Sequence, residues 1–594
     1  MRGLLLAAAL ESSVPLRKFW ELFNSSTNAL EDLRVFDPFA GGGTTLVEAA
    51  RLGATPCGVD VDPLAVTIVQ HELDPAEPSD FLMRSASLLG YLDSVAGHLY
   101  APTRKGWIPL HYFSLQVVSC PHCKRCEPLY RSLIIARDVG KNGAVVRDAA
   151  VVAFCPDCLS IHQLENEGRR ELHCCGRRKL TESNFSAAKF TCPHCGGRAG
   201  HRELQTGTAP RQLLAVEETR SDERRRIRGA SAGDFLRLEE AHRYLRQHDA
   251  ELDYPRTELS KDRVDDRPLS FGIKTAAALF TPRQLAVFGH AFRWLRTANL
   301  LPPTRRALTL AMSNALGTNN RLCGYATDYG RLAPLFSVRS YAWPWLGVEL
   351  NPFHPSGGRG TLRKVLDRVA KSTGNEVRRY IWSQRVKKPE PVTTNYSHVR
   401  RTPEVVCQSA SAALSFKVDC DICIFDPPYY DYIAYSELSE FYRAWLAESS
   451  LGGKPLLPDP LDPVNSFGRA LGSCMKRAAS QLLTRFPIAF TYHAASTLAW
   501  DAVGVALDTA QLTVTGLWPV RNDAHMGHHT EVGNCEWDLI VVCRPKVVCV
   551  PRKCRITVQG WRSKVAPLKI GKADKLNMEY AIAMASTRFG SINL

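Results

Sequence analysis

The stretch "IFDPPYYDY", residues 424–432, combines residue types suited to holding a flat, polar ligand. The preceding "VDCDICIF" is short and apolar, as in a strand that is buried on both faces. Two prolines then end any ladder of backbone hydrogen bonds and make the chain rigid. Asp426 offers a carboxylate acceptor close to the ring of Tyr429. The chemistry predicted here is hydrogen bonding and stacking at the end of a buried strand.

A second stretch, "VFDPFAGGGTTLVEAA" (residues 35–50), places three glycines between a predicted strand and a predicted helix. Glycines let the backbone turn sharply and approach a ligand, and the helix start offers unpaired N–H groups. The loop is not a P-loop, because no Lys-Ser/Thr pair follows, and it does not have the GxGxxG spacing. The alternative to a ligand-binding loop is a tight structural turn.

Two acidic residues follow the next predicted strand in "CGVDVD". Asp60 lies 60 − 37 = 23 residues after Asp37, which is near the spacing at which doubly wound folds place a carboxylate on a ribose. Asp62 competes for this role, or else caps the helix that begins "PLAV". The glycine loop and these carboxylates together predict a site for a nucleoside-containing cofactor.

Nine of the 19 cysteines fall between Cys120 and Cys195, mostly in CxxC pairs. Paired knuckles of this kind indicate structural zinc, and their confinement to one segment favours a reducing compartment over a disulfide scaffold. A redox CxxC is the rival interpretation. The predicted ligands are Cys120, Cys123, Cys155 and Cys158 for a first site, and Cys192 and Cys195 with Cys174 or Cys175 for a second. His173 or His194 is an alternative ligand of the second site.

The elements that must position these residues are predicted from length and pattern. A chain of 594 residues should hold two to four domains. Alternating strands and helices predict an α/β, doubly wound, Rossmann-like sheet, interrupted by a long insertion. The predicted regions are 1–99 and 401–545 for the two halves of this sheet, 100–205 for a zinc-ribbon insert, 206–400 for a mainly helical insert, and 546–594 for a basic tail or small lobe. Ligands of such sheets bind outside the carboxyl ends of the strands, so Asp37 and Asp426 are expected to face one crevice.

Composition narrows the class of partner. The net charge of +16 suggests a polyanion, most simply nucleic acid. No apolar run approaches the roughly 20 residues that cross a bilayer, so we expect no membrane association and a cytoplasmic location. The start, "MRGLLLAAALESS", faintly resembles a secretion signal. An amphipathic helix ahead of the first strand fits the continuing "PLRKFWELF" better.

"DPFAGGGTT" followed by "DPPYY" resembles the cofactor loop and catalytic motif of DNA amino-methyltransferases that use S-adenosylmethionine. More narrowly, the chain is similar to adenine-specific DNA methylases that carry a zinc-ribbon insert and a domain of unknown function. The resemblance continues through "LFTPRQLAVF", "WLGVELNPF" and "LWPVRND" and touches most of residues 5–545. It implies a class I methyltransferase sheet whose cofactor residues are Asp37, Pro38, Phe39, Ala40, Gly41, Gly43, Thr44 and Asp60. Such enzymes usually carry a further cofactor motif before the glycine loop. That motif is not found here, which implies a truncation, a misassigned start or a substituting element.

The resemblance implies direct methyl transfer to the exocyclic amine of a flipped adenine. The Asp426 carboxylate and the Pro427 carbonyl would accept hydrogen bonds from the amine, and Pro428 would keep them rigid. Tyr429 would stack on the base, an interaction worth roughly 1–3 kcal/mol. Cytosine C5 chemistry needs a cysteine, commonly after proline, and the single Pro-Cys is Pro56-Cys57.

Three other functions stay open: methylation of RNA, methylation of cytosine N4, and a catalytically silent zinc-containing protein that binds nucleic acid. By analogy with the family, companion subunits of a restriction-modification or phage-defence system are expected partners.

Further residues have two interpretations each. Tyr430, Asp431 and Tyr432 line the pocket or belong to a surface loop. His493 and the segment Trp518–Asp523 shape the base pocket, although a core histidine is the better expectation for His493. The zinc ribbons and Arg224–Arg226 are expected to contact the DNA backbone, with a solvated face as the alternative.

Overall fold

The computed structural model describes residues 1–25, 27–137, 151–165, 170–220, 225–261, 265–337, 340–383, 386–395, 403–413, 419–430, 435–447, 449–483, 487–521, 535–546, 558–568 and 570–586. The chain divides into two compact units. Unit 1 comprises Met1–Pro75, Gly374–Ser436 and Glu448–Leu594, and unit 2 comprises Ala76–Thr373 and Glu437–Ala447. No helix in the described part of the chain has the length and apolar character that a membrane crossing requires.

The strands are numbered in chain order. They are β1 (Arg34–Asp37), β2 (Thr55–Asp60), β3 (Ile108–Ser119), β4 (Cys126–Pro128), β5 (Ile134–Arg137), β6 (Val151–Phe154), β7 (Ile161–Leu164), β8 (Glu171–His173), β9 (Arg177–Lys179), β10 (Phe185–Ser186), β11 (Lys189–Thr191), β12 (Arg198–Gly200), β13 (Arg211–Thr219), β14 (Arg225–Gly229), β15 (Gly324–Ala326), β16 (Arg331–Ala333), β17 (Leu346–Leu350), β18 (Glu376–Ser383), β19 (Lys388–Asn395), β20 (Glu404–Cys407), β21 (Ile422–Phe425), β22 (Ile488–Tyr492), β23 (Leu512–Arg521) and β24 (Trp537–Pro545).

The α-helices are numbered in the same way. They are α1 (Arg2–Ala9), α2 (Leu16–Asn24), α3 (Thr44–Arg51), α4 (Pro63–Leu73), α5 (Pro78–Ala96), α6 (His201–Leu204), α7 (Ala232–Gln247), α8 (Arg267–Ser270), α9 (Pro282–Thr297), α10 (Pro302–Leu316), α11 (Leu362–Ala370), α12 (Tyr435–Arg443), α13 (Pro463–Ser480), α14 (Thr497–Ala510), α15 (Val558–Val565) and α16 (Lys572–Ser586). Short 3₁₀ segments lie at Gly97–Tyr100, Asp249–Glu251 and Ala276–Leu279.

Unit 1 is built on a seven-stranded sheet in the order β20-β2-β1-β21-β22-β24-β23. Neighbouring strands from β20 to β22 are parallel, whereas β24 is antiparallel to both β22 and β23. The prediction of an α/β chain is therefore confirmed as a mixed, largely parallel sheet, with cysteine-rich β regions inserted between its strands. Strands β1 and β21 are adjacent although almost 390 residues separate them, because the chain leaves unit 1 after β2 and α4 and returns to it ahead of β20.

The two faces of this sheet carry alternate residues of each strand. On one face, Val35, Ile424 and Ala489 are buried against Leu5 and Leu6 of α1. Helix α1 thus covers the sheet, as expected for a helix that precedes the first strand. The opposite face carries the intervening residues, among them Phe36, Cys57, Val59, Cys423, Phe425 and Phe490, in a core shared with α13, α14 and α16.

The C-terminal helix α16 belongs to this second core. Met578 and Ile582 are buried there, so this part of the predicted tail or lobe (546–594) packs into unit 1. The buried Asn577 accepts the Ala494 N–H at 2.9 Å and donates to the Trp537 carbonyl at 2.9 Å. Helix α16 is therefore hydrogen-bonded to the ends of β22 and β24, next to the carboxyl edge of the sheet.

Unit 2 is organised around the long strand β3. The sheet order is β14-β13-β3-β17, and β4 also pairs with β3. Helices α5, α7, α9, α10 and α11 contribute to its main core. Helix α5 belongs to unit 2, whereas the predicted region 1–99 groups it with the first half of the doubly wound sheet. Likewise β13, β14 and β17 come from residues 206–400, where mainly helices were expected.

Two of the motifs that carry the resemblance meet inside unit 2. Arg283 of "LFTPRQLAVF" is buried and donates from Nε to Glu349 of "WLGVELNPF" at 2.9 Å. Its guanidinium also lies over the rings of Tyr112 and Tyr100, 4.0 and 4.7 Å from their centroids. Burial opposes the charge, yet Glu349 and the two tyrosines hold the pKa of Arg283 above its ordinary value. These motif residues therefore meet in a buried ion pair with cation–π contacts in the core of unit 2.

Candidate active site and metal centres

The glycine loop joins β1 to α3 in a conformation that requires glycine. Gly43 precedes the first residue of α3 with φ +81°, and a Cβ there would lie 2.8 Å from Val69 Cγ2. Gly41 also has a positive φ of +49°. A Cβ on Gly42, by contrast, would meet no atom within 4 Å. The loop is thus a tight turn with one open side that a ligand can approach.

Asp60 holds this loop in place through a backbone hydrogen bond. Its Oδ2 accepts the Gly41 N–H at 2.8 Å, and its Oδ1 accepts the Asp62 N–H at 2.9 Å. Burial raises the pKa of Asp60. Asp62 caps α4 by accepting the Leu64 N–H at 2.9 Å, which confirms the capping interpretation of that residue. The carboxylate predicted to contact a ribose therefore already accepts backbone N–H groups of the protein on both oxygens.

Asp37 ends β1 and is almost fully buried, with 2% of its surface exposed. It accepts the Phe39 N–H at 2.9 Å. Burial raises its pKa to about 7, and the negative charges of Asp60 and Asp426 act in the same direction. Three carboxylates thus share one locality at the carboxyl edge of the sheet. Such a site favours a ligand with positive charge.

The structure brings the two strand ends together. Strands β1 and β21 are parallel neighbours in a register that pairs Val35 with Ile422, and the rings of Phe39 and Phe425 lie 5.6 Å apart. Because the side chains of a strand alternate between faces, the polar residues of the carboxyl edge fall on one face of the sheet. From β2 across to β23 they are Asp60, Asp37, Asp426, Thr491, His493, Asp538 and Trp518.

Asp426 follows β21 directly and has a fixed orientation. Its Oδ1 accepts the Thr491 hydroxyl at 2.9 Å and the Tyr429 hydroxyl at 3.1 Å. No residue that the structure describes donates to Oδ2 or to the Pro427 carbonyl. The side chain of Asp426 is partly exposed to solvent, although protein atoms surround most of it. This desolvation raises the pKa of Asp426, and the hydrogen bonds from the Thr491 and Tyr429 hydroxyls oppose the rise. One carboxylate oxygen is therefore held by the protein, and the other is available to a donor on a ligand.

Tyr429, whose ring is predicted to stack on a base, packs against another tyrosine of the protein. Its ring stacks on Tyr492, with centroids 4.9 Å apart and planes 16° from parallel. Its hydroxyl lies 3.4 Å from His493 Nδ1 in addition to its bond with Asp426. Burial and the neighbouring Asp426 raise the pKa of Tyr429 well above its ordinary value. In this arrangement the protein covers one ring face, and the hydroxyl orients the carboxylate.

His493 lies beside this cluster. Its Nδ1 is 2.7 Å from Asp538 Oδ1, and both side chains are mostly buried, with 17% and 21% exposed. The pair extends the row Asp426–Tyr429–His493–Asp538 along the carboxyl edge. The sequence favours a core histidine at position 493, and it does not single out Thr491, Tyr492 or Asp538 as site residues. The available signal was the period of two in "IAFTYH", which puts Thr491 and His493 on the face opposite Phe490.

Other predicted pocket residues have varied positions. Trp518 on β23 is half-exposed and pairs with Ile540, on the face that carries Asp426. Tyr430 packs edge-on against Phe467 and donates its N–H to the Tyr492 hydroxyl at 3.3 Å. Four predicted residues lie outside the described part of the chain, namely Asp431, Tyr432, Asn522 and Asp523.

The eight predicted zinc ligands form two clusters of four, but the predicted pairing of the knuckles is wrong. The first cluster is Cys120, Cys123, Cys192 and Cys195, and the second is Cys155, Cys158, Cys174 and Cys175. The second site is therefore nested within the first along the chain. Four ligand pairs can combine in three ways, and packing decides between them. Residues near the first cluster share one small core, whereas Cys155 packs with Leu172 and Leu180 in another.

The sulfur geometry fits zinc in both clusters. Cys120 and Cys195 Sγ are 3.7 Å apart, as are Cys123 and Cys192 Sγ, and Cys158 and Cys174 Sγ are 3.5 Å apart. Four thiolates at about 2.3 Å from a tetrahedral Zn²⁺ lie about 3.8 Å from one another. Both clusters can therefore bind structural zinc.

Three of the knuckles share one backbone conformation. The residue after each CxxC has a positive φ, at Lys124, Leu159 and Gly196. Each donates its N–H to the carbonyl of the first cysteine, at 2.9, 2.8 and 3.0 Å in turn. Two knuckles in the first cluster approach so closely that a Cβ on Gly197 would lie 2.3 Å from His122 Cδ2. The Cys174–Cys175 pair lacks this turn, which is why its spacing did not indicate a knuckle.

The two described arginines of the run Arg224–Arg226 form ion pairs within the protein. Arg225 pairs with the buried Glu217 at 2.9 Å, and Arg226 pairs with Glu218 at 2.7 Å. Arg226 also lies 3.6 Å from the centroid of Trp107. Arg224 is outside the described residues. Because Arg225 and Arg226 already pair with carboxylates of unit 2, their positive charges are less available to a binding partner.

The fold and the site define an α/β protein with a cluster of carboxylates at the edge of a largely parallel sheet and two four-cysteine clusters that can bind a metal ion. No protein-family model matches the chain, and no curated protein or solved structure is found to be similar to it.

Proposed function

We propose that the protein is an S-adenosylmethionine-dependent DNA adenine N6-methyltransferase. The observation that carries the proposal is the adjacency of the glycine loop after β1 and the Asp-Pro-Pro-Tyr corner after β21. Counted within the seven-stranded sheet, the first six strands follow the order 3-2-1-4-5-6 of doubly wound nucleotide-binding folds, with a seventh strand inserted antiparallel between the fifth and the sixth. The order of the strands reverses between the parallel neighbours β1 and β21, and such folds bind their ligands at this point.

The residues present fit the proposed cofactor. S-Adenosylmethionine carries a positive sulfonium and an ammonium group, and Asp37, Asp60 and Asp426 supply the negative charge that would attract them. The open side of Gly42 allows close approach of the ligand to the backbone. When bound, the cofactor would supply a methyl group activated by the sulfonium.

The chain's own residues would bind and orient the amine. Asp426 Oδ2 and the Pro427 carbonyl are two acceptors for its N–H groups, and accepting both would turn the nitrogen lone pair toward the methyl group. Thr491 and Tyr429 hold Asp426 in place through Oδ1. Strands lie about 4.8 Å apart, so Trp518 on β23 is about 14 Å from the β21 position across the same face. Trp518 would therefore contact a bound base only from the far side of the row formed by Thr491, His493 and Asp538.

The test is label transfer from S-adenosylmethionine to duplex DNA by the full chain, with the modified nucleoside identified by mass spectrometry. Asp426→Ala should abolish transfer with no change in zinc content. Asp501→Ala, which removes an exposed carboxylate on α14, is the matched control and should keep activity. Labelled N4-methylcytosine, or transfer to RNA alone, would replace the proposed substrate, and activity of the Asp426 variant would refute its role. No transfer by the parent chain would favour the silent nucleic-acid-binding protein or a requirement for companion subunits.

A further inference from the structure

The two ribbons differ in how their arginines are paired. The first ribbon comprises residues 117–128 and 185–200 around Cys120, Cys123, Cys192 and Cys195. The second comprises residues 151–164 and 171–182 around the other cluster. In the second ribbon, Arg177 pairs with Glu171 at 2.6 Å, and Arg178 pairs with Asp157 and Glu182, both at 2.9 Å. These guanidinium groups are already matched with carboxylates of the same ribbon.

The first ribbon holds its cations without such partners. Lys124, Arg125, Lys189 and Arg198 are all exposed, and none forms an ion pair with a residue that the structure describes. The Lys124 Nζ donates to the Pro121 carbonyl at 2.8 Å, and Arg125 donates to His194 Nδ1 at 2.8 Å. His194 in turn contacts Glu127, the one carboxylate of this group, at 2.6 Å.

The outer face of the β11–β12 hairpin presents two of these cations together. Phe190 and Ala199 point inward and are buried with the first cluster, so Lys189 and Arg198 point outward. The register pairs Lys189 with Gly200 and Thr191 with Arg198. Lys189 and Arg198 are thus diagonal neighbours, with Cβ atoms about 7–8 Å apart. The hairpin presents the two charges on one face, and neither is in an ion pair with a residue that the structure describes.

We propose that the first ribbon, and not the second ribbon or Arg225 and Arg226, is the surface that binds the nucleic-acid backbone. The partner chemistry is a row of phosphates, because fixed and unmatched cations with exposed histidines recognise charge and position without reading bases. The proposal deepens the proposed function by assigning the DNA contact. It does not depend on methyl transfer, because binding is measured separately.

The experiment compares two double variants of the zinc-loaded full chain. Lys189→Gln with Arg198→Gln removes two unmatched charges, and Arg177→Gln with Arg178→Gln removes two matched charges from the second ribbon. Affinity for duplex DNA is measured by fluorescence anisotropy from about 50 to about 200 mM salt. Log affinity falls as log salt rises, and each phosphate contact makes this slope steeper by about 0.9. The slope of the first variant should therefore be shallower than that of the parent chain by about 1.8, and the slope of the control should be unchanged. At about 0.1 M salt this corresponds to roughly tenfold weaker binding for each contact.

Zinc content and circular dichroism show whether each variant is folded, and the single variants Lys189→Gln and Arg198→Gln should each give half the effect. Equal losses in both double variants would overturn the proposal, because net charge alone would then explain binding. An unchanged slope in the first variant would overturn it too, and would leave an acidic protein as the partner of this surface. A parent chain that binds DNA through the first ribbon but transfers no methyl group would support this inference, and for the proposed function it would favour the silent nucleic-acid-binding protein or a requirement for companion subunits.

Discussion

Replacement of the buried Asp37 by Asn should change how the stability of unit 1 depends on pH. The folded-state pKa of Asp37 is about 7, against an ordinary value of 3.8. A carboxyl group with a raised pKa binds its proton more tightly in the folded protein than in the unfolded chain. The stability that it contributes is therefore fully present below pH 3.8 and is lost as the pH rises through about 7.

The magnitude follows from the width of this window. Each pH unit between the two pKa values changes the free energy of unfolding by about 1.4 kcal/mol, so the full window amounts to about 4 kcal/mol. Asn has nearly the same shape, can still accept the Phe39 N–H, and does not titrate. The difference in unfolding free energy between Asp37→Asn and the parent chain should therefore shift in favour of the variant by about 4 kcal/mol from pH 4 to pH 8.

The assay must report unit 1 alone, because a chain of two units with metal sites does not unfold in one step. Hydrogen-exchange labelling of peptides from β1 and α3 along a urea gradient gives the unfolding free energy of that unit at each pH. Asp501→Asn controls for the loss of one carboxylate from the surface of α14. A difference between Asp37→Asn and the parent that stays constant from pH 4 to pH 8 would refute the argument, because Asp37 would then ionise equally well in the folded and unfolded states.

Three further outcomes are expected. Gly43→Ala should lower the unfolding free energy of unit 1 by about 1–3 kcal/mol, because its φ and the contact with the neighbouring helix exclude a Cβ; Gly42→Ala, in open space, should leave urea denaturation unchanged. Thr491→Val removes a hydroxyl that stabilises the Asp426 carboxylate, so its pKa should rise and the acidic limb of the methyl-transfer pH profile should move to higher pH; an unmoved limb would contradict the assigned hydrogen bond. A strong zinc chelator should abolish hydrogen-exchange protection in residues 117–128 while β1 stays protected, because bound zinc contributes on the order of 10–16 kcal/mol to such a segment; protection retained after complete metal loss would exclude a structural role.

Local pattern was sufficient for several features of this protein. The alternation of apolar strands and helices predicted the α/β class, and the glycine loop was placed correctly between β1 and α3. Asp62 was open to a capping interpretation because Pro63 and an apolar helix follow it. Six of the eight clustered cysteines were identifiable from CxxC spacing, since such knuckles depend on a turn of only a few residues. Each of these features is determined by contacts between residues that are close together in the chain.

Tertiary structure decided the rest, because it depends on contacts between distant segments. Sequence could not choose among the pairings of four ligand pairs, and the apolar packing around each cluster selected the nested arrangement. It could not show that Asp426 shares its Oδ1 with Thr491 and Tyr429, nor that Tyr492 covers the ring of Tyr429, because β22 had first to be placed beside β21. The charges of Arg225 and Arg226 looked available until strand pairing brought Glu217 and Glu218 next to them. The type of each residue can be read from the sequence, whereas the residue that contacts a given charge or ring depends on how distant segments pack together.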